Sequence, residues 1–142
     1  MLLATMIVGR AWAHDIDRLG WHPLSGQAIA AVESCPERLY NRYDEGGFLI
    51  WFTPNQKVFI DSRYDPFPPE LLLGQIALEE SGVYEATFEQ HRIRCAFIPS
   101  ESTLARRLSE HGWRSTYRDA RWAVLVAPTG PTGTETTRLR EK

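Results

Sequence analysis

Lys57-Val58-Phe59-Ile60-Asp61 is the stretch on which the reading of the fold turns. It is a β-branched and aromatic run, bounded by Asn55 on one side and an Asp/Pro-rich segment on the other, which is the pattern of a strand. Upstream, Arg38-Leu39-Tyr40-Asn41 reads as a brief strand, and downstream Ile93-Arg94-Cys95-Ala96-Phe97-Ile98 reads as another, closed by Pro99. Between and around them the spacing is helical. Pro23 and Ser25 lead into residues 26–34, with Ala28, Ile29, Ala31 and Val32 at helical intervals. Gly46-Gly47 opens the apolar run Phe48-Leu49-Ile50-Trp51-Phe52, read as a buried helical turn because a strand would carry two glycines at its weakest point. Pro68-Pro69-Glu70 starts a helix that Ser81-Gly82 stops, with Leu72, Leu73, Ile76 and Ala77 assigned to its inner face. Residues 84–91 form a further helix, and Ser100 or Ser102 caps one over residues 103–110, ended by Gly112. Residues 113–118 and 121–127, joined at Asp119-Ala120, make a hairpin.

Strands separated by helices imply parallel crossovers. The sequence therefore predicts an α/β layered domain with a mainly parallel sheet, helical crossovers and a C-terminal antiparallel hairpin. No internal repeat is visible.

Length and composition are consistent with this. The chain has 142 residues, 43% hydrophobic and 24% charged, enough for one core, so a disulfide-stapled miniprotein, a collagen-like repeat and a multispan membrane protein are excluded. Sixteen basic against eighteen acidic residues give a net charge of −2, with no general attraction for nucleic acid. The charge is unevenly spread, however. Residues 33–89 hold eleven acids and four bases, whereas residues 90–125 hold seven bases and three acids.

The ends differ in character. Residues 1–8 are apolar apart from Thr5, but Gly9 and Arg10 interrupt them well short of the ~20 residues that span a bilayer. Three readings of residues 1–13 stand open: a signal peptide, with Ala11-Trp12-Ala13 as cleavage site but no basic n-region; the remnant of a longer membrane helix; or a short element of a soluble domain. Trp12 and Trp21 suit a membrane interface in the second reading. Residues 14–127 are taken as the single domain, and residues 128–142, with Leu139 the one large apolar side chain, as a flexible tail.

Most catalytic signatures are missing. There is no G-x-G-x-x-G, no G-x-x-x-x-G-K-[ST] and no G-x-S-x-G, and His14, His22, His91 and His111 lack metal-ligand spacing, so neither cofactor nor metal is expected. Asp15-Ile16-Asp17 matches a short D-x-D metal pattern, for which a solvated linker is the simpler account. Cys35 and Cys95, 60 residues apart, could form a disulfide if the domain faces an oxidising compartment, two buried free thiols being the more usual state.

One polar constellation remains. If the strands near residues 39, 59 and 96 run parallel, their carboxyl ends share the sheet edge at which open α/β sheets bind ligands. That edge would gather Asn41, Tyr43, Asp44 and Glu45, then Asp61, Arg63 and Asp65, then Ser100 and Glu101. Asp61 and Arg63, two apart in extended chain, would point the same way. Arg63 would hold an anion or sugar hydroxyls, with Asp61 or Asp44 accepting hydrogen bonds. The alternative is that Arg63 pairs with Asp44, Glu45 or Asp61 only to hold the loops.

The series Tyr40-Asn41-x-Tyr43-Asp44-Glu45-Gly46-Gly47-Phe48-Leu49-Ile50-Trp51, then Lys57-Val58-Phe59-Ile60-Asp61-Ser62-Arg63-x-Asp65, then a strand ending Ile98-Pro99 and a hairpin at Gly112-Trp113, resembles a known family. It is similar to the C-terminal soluble domain of polytopic bacterial membrane proteins related to lipid-carrier-dependent, dolichyl-phosphate-mannose-type glycosyltransferases, over residues 24–127. Two positions depart from that pattern: Glu45 where Trp is usual, and Ser62 where Gly is usual. The resemblance implies an appendage on the outer face of the bacterial cytoplasmic membrane. Such a domain would be non-catalytic and would bind or position a glycan or lipid-linked sugar beside membrane-embedded helices of a parent or neighbouring protein. Two other functions are kept beside it: a packing module without a ligand, and a free-standing hydrolase or transferase using Asp61 with Asp44 or Glu45.

Overall fold

The computed structural model describes residues 24–36, 38–63 and 67–128. The N-terminal segment, with Trp12, His14, the D-x-D motif, Trp21 and His22, lies outside the described residues, as do Asp65 and the tail beyond Pro128.

The described residues form an α/β domain of five helices and a four-stranded mixed sheet. In chain order the elements are α1 (Gly26–Glu33), β1 (Arg38–Tyr40), α2 (Tyr43–Phe52), α3 (Pro69–Ser81), α4 (Glu85–His91), β2 (Ile93–Pro99), α5 (Thr103–Glu110), β3 (Arg114–Arg118) and β4 (Trp122–Val126). The strand order is β1-β2-β4-β3. Only β1 and β2 are parallel; β4 is antiparallel to both β2 and β3. The expectation of a mainly parallel sheet is therefore corrected, and the reason lies in residues 57–61.

That segment, the clearest strand by composition, is not part of the ladder. It lies alongside β1, with the Leu39 amide donating to the Lys57 carbonyl at 3.4 Å. The next rungs, however, are made by a side chain. Asn41 Oδ1 accepts from the Phe59 amide at 2.8 Å, and Asn41 Nδ2 donates to the Ile60 carbonyl at 2.7 Å. The amide group of asparagine carries one donor and one acceptor like a peptide unit, so it completes the edge that a fourth β1 residue would have supplied. Partners advance from residue 57 to 60 as the chain advances from Leu39 in β1 to Asn41 just after it, the sense of a parallel neighbour.

Alternation along the strands sends side chains to both faces of the sheet. Tyr40, Ala96, Ile98, Ala123 and Leu125 pack with Leu78 of α3, Phe88 of α4 and Leu104 and Leu108 of α5. Leu39, Cys95, Phe97 and Val124 pack on the opposite face with Ala28 and Val32 of α1 and Leu49 of α2. Strand β2 is thus covered on both sides, which accounts for its continuous apolar run.

Local signals set the helix ends. Ser25 Oγ accepts from the Ala28 amide at 3.1 Å and Ser102 Oγ from the Ala105 amide at 3.0 Å, so Ser102 rather than Ser100 is the cap of α5. Pro69 occupies the first turn of α3, and Gly82 closes it at φ +70°, which glycine adopts without strain. Helix α2 begins five residues before the run at Phe48. Gly46 permits this: a Cβ there would overlap the Ile60 carbonyl and the backbone of Asp61.

Two further expectations are corrected. The buried face of α3 carries Gln75 and Leu78, while Leu73 and Ile76 are 65% and 48% exposed and Ala77 is exposed too. The helix is rotated because Gln75 reaches Asn41. Cys35 and Cys95 form a disulfide with a Cα–Cα distance of 5.7 Å, not a pair of free thiols. Parallel pairing of Leu39 with Cys95 brings the chain entering β1 beside β2, a proximity invisible in a 60-residue separation. Closing a loop of that size stabilises a fold by about 4 kcal/mol on the chain-entropy account. Urea unfolding of the chain with and without reductant is expected to show a lower midpoint when reduced, and Cys35→Ser is expected to match the reduced form whether or not reductant is present.

Candidate binding site

The polar residues after β1 form one network centred on Asn41, which is fully buried. Besides its bonds to Phe59 and Ile60, Asn41 Nδ2 donates to the Arg42 carbonyl at 2.8 Å. The Asn41 carbonyl accepts from Gln75 Nε2 at 2.9 Å, and Gln75 Oε1 accepts from the Tyr43 amide at 3.1 Å. The Tyr43 hydroxyl donates to the Ser62 carbonyl at 3.0 Å. Asn41 and Gln75 are thus spent on holding β1, α3 and residues 59–62 together.

The charged members are paired within this network. Arg42 donates through Nε to Glu45 Oε2 at 3.1 Å and through Nη2 to Oε1 at 2.9 Å. Burial pushes the Glu45 carboxyl above the usual carboxylate range, an effect that Arg42 offsets only in part. Burial likewise raises Glu79, whose Oε1 accepts from the Tyr40 hydroxyl at 2.7 Å. Arg63 forks onto Asp61, Nε to Oδ1 at 2.8 Å and Nη2 to Oδ2 at 2.6 Å, and the Arg63 amide also donates to Oδ1 at 2.9 Å. Asp61 is 2% exposed and Arg63 72% exposed. The hydrogen bond from the guanidinium, reinforced by that amide, holds Asp61 below its ordinary value against its partial desolvation.

Sequence reasoning anticipated Asn41, Tyr43, Glu45, Asp61 and Arg63, and these lie in or beside the network. Asp44 is exposed and lines a shallow depression of about 330 Å³ with Arg42, Gln75 and Glu79. Ser100 and Glu101 lie elsewhere along the sheet. Tyr40 pairs with Ala96, so Ser100 is four residues further on, about 13 Å at the rise of a strand. Ser100 is taken up by the hairpin: its hydroxyl donates to the Asp119 carbonyl at 2.8 Å, its amide to the Arg121 carbonyl at 2.8 Å, and its carbonyl accepts from Arg118 Nη1 at 2.8 Å. Glu101 is exposed in the turn that follows. Arg42, Gln75 and Glu79 were missed. The three-residue spacing of Arg42 and Glu45 is a visible signal, whereas nothing local announces Gln75. At the two positions that depart from the pattern the sequence resembles, Glu45 is buried against Arg42 and Ser62 is not among the residues at positive φ.

A larger cleft, about 550 Å³, opens on the outer side of residues 56–59, between the start of β1 and His91 at the end of α4. Val58 and Phe59 form part of its wall, and Arg38, Lys57, Arg63 and His91 supply most of its polar edge. No described acidic residue lines it.

No family model, curated protein or solved structure matches this chain. Among the described residues no helix is long and apolar enough to cross a membrane.

Two substitutions test this geometry. Asn41→Ala leaves the Phe59 amide and Ile60 carbonyl without their partner and is expected to cost about 2–4 kcal/mol in urea unfolding. Arg63→Gln is expected to raise the Asp61 titration midpoint towards the ordinary carboxylate range, followed by carboxyl ¹³C shifts in NMR. The sign for stability follows from the direction of that shift. A carboxylate lowered by folding stabilises above its unfolded-state value, and that contribution is lost as pH falls through the folded-state value. Glu45 and Glu79, raised by burial, act in the opposite sense, their contribution being lost as pH rises through their folded-state values. Arg63→Gln keeps the backbone amide of residue 63 on Asp61, so it is expected to reduce, and not to abolish, the part of the acid-side stability loss that belongs to Asp61.

Proposed function

We propose that this chain is a non-catalytic binding domain that holds or positions a glycan or lipid-linked sugar on the outer face of a bacterial cytoplasmic membrane, in company with membrane-embedded helices of a glycosyltransferase-like protein. The observation that carries this reading is the division of labour around residues 57–63. Two of the three candidate carboxylates are engaged, both oxygens of Asp61 by Arg63 and both of Glu45 by Arg42, while an open cleft with apolar wall and polar edge lies next to them. Ligand sites have that composition, an apolar surface with a few oriented polar groups. A hydrolase built on Asp61 with Asp44 or Glu45 would need a carboxyl free to exchange a proton with substrate, and the depressed Asp61 is a poor base. The Cys35–Cys95 bridge supports an oxidising compartment. The resemblance in residues 40–65 supplies the membrane and the sugar.

A second reading, a packing module without a ligand, is favoured by apolar side chains left at the surface: Trp51 at 76% exposed, with Leu73 and Ile76 of α3. Isothermal titration of the chain with glycan fragments and with detergent-solubilised lipid-linked sugars separates the two. Saturable heat from either ligand class is expected. A flat titration with every member of both classes would overturn the binding reading and leave the packing module.

A further inference from the structure

The acidic stretch, residues 33–89, contains four Lys or Arg residues, namely Arg38, Arg42, Lys57 and Arg63. Three of them, all but Arg42, line one cleft of about 550 Å³, and His91 joins them. No described acidic residue enters that lining, although acids outnumber bases nearly threefold in the stretch that builds it. A solvated surface of mixed sign would interleave the charges. Among the described residues they are sorted.

The pairing pattern sharpens the point. Arg42, the one base of the four outside the cleft, is neutralised by Glu45. Among the described residues Arg38 and Lys57 pair with no carboxylate. Arg63 is held by Asp61 through Nε and Nη2, which fixes its guanidinium plane and leaves Nη1 outside the fork. A buried carboxylate orienting an exposed arginine is a positioning device, because the fork geometry removes rotamer freedom before a ligand arrives. The wall beneath is equally fixed, with the Phe59 amide bonded to Asn41 and the Phe59 ring packed edge-on to His91 at 5.1 Å.

We propose that this cleft is a phosphate subsite, and that the ligand of this domain is a sugar phosphate whose phosphate or diphosphate lies among Arg38, Lys57 and Arg63, with its apolar face against Val58 and Phe59. The proposal rests on the binding reading above and narrows its ligand class. Charge-assisted hydrogen bonds from guanidinium and ammonium groups recognise phosphate oxygens, and their exposure makes the attraction sensitive to salt.

The test is isothermal titration of the full chain with glucose 1-phosphate, glucose and inorganic pyrophosphate, together with flotation on phosphatidylcholine vesicles with and without polyprenyl phosphate. The expected result is that phosphorylated probes bind, that added salt weakens them, and that glucose is bound at least tenfold more weakly than its phosphate. The double substitution Arg38→Gln, Lys57→Gln removes two cations that pair with no carboxylate among the described residues, so the melting temperature is expected to hold while phosphate affinity falls about tenfold or more. Binding of the soluble phosphates alone assigns a free sugar phosphate. Flotation that requires polyprenyl phosphate and is competed by pyrophosphate assigns a lipid-borne one. Glucose binding as tightly as glucose 1-phosphate, or a double variant with unchanged phosphate affinity, overturns the phosphate subsite and leaves the glycan reading standing. Silence from every probe, and from the glycan fragments as well, ends both.

Discussion

The carboxamide of Asn41 is the constraint on which the rest of this domain depends. It stands where β1 ends after three residues, and it continues the hydrogen-bond edge of that strand with a side chain in place of a peptide. Because Asn41 is fully buried, its polar atoms must be matched, and the matches reach the Arg42 carbonyl, residues 59–60 and Gln75. Its side chain holds residues 59–60, and its carbonyl holds Gln75 of α3. The carboxamide's bonds place residues 59–60 beside the sheet, and the bond from Gln75 to the Asn41 backbone carbonyl goes with the orientation of α3 that buries Gln75 and exposes Leu73 and Ile76. A side-chain hub of this kind specifies one arrangement strongly, since slipping the register by a residue would strand several buried groups at once.

How far the sequence was legible varies with the range of the interaction. Caps and stops were readable because they act within a turn: Ser25, Pro69, Gly82 and the Asp119 hairpin stand where their chemistry puts them. Residues 57–61 were misassigned because composition reports a preference for extended backbone, while membership of a ladder depends on a partner 18 residues away. The inner face of α3 was misread for a related reason. Hydropathy alone ranks Leu73 and Ile76 above Gln75, and only the buried Asn41 carbonyl reverses that order. The Cys35–Cys95 bridge follows from strand pairing, which no spacing rule contains. In the candidate site, Asp61 with Arg63 was visible from two-residue spacing. Ser100 and Glu101 were grouped with them on the assumption that β1 and β2 end level, whereas β2 runs on past Tyr40 to Pro99.

The same stretch of chain serves two purposes with opposite electrostatic demands. Interior pairs consume carboxylates: Glu45 for Arg42, Asp61 for Arg63, and Glu79 for the Tyr40 hydroxyl, whose titration burial drives far above the usual tyrosine range. The larger cleft beside residues 56–59 is lined by Arg38, Lys57, Arg63 and His91 and, among the described residues, by no acid. A net excess of acid along the sequence is therefore compatible with a locally cationic surface, because burial and pairing decide which charges face solvent.

The Cys35–Cys95 bridge has a mechanical consequence. Every residue that lines the larger cleft, and every member of the Asn41 network, falls between the two half-cystines. A pull applied to the two ends of this chain would be borne by the sulfur–sulfur bond, and the segment from 36 to 94 would hang slack beside the line of force. Tethering the domain to something that moves would then leave residues 36–94 unstretched for as long as the bridge stays oxidised.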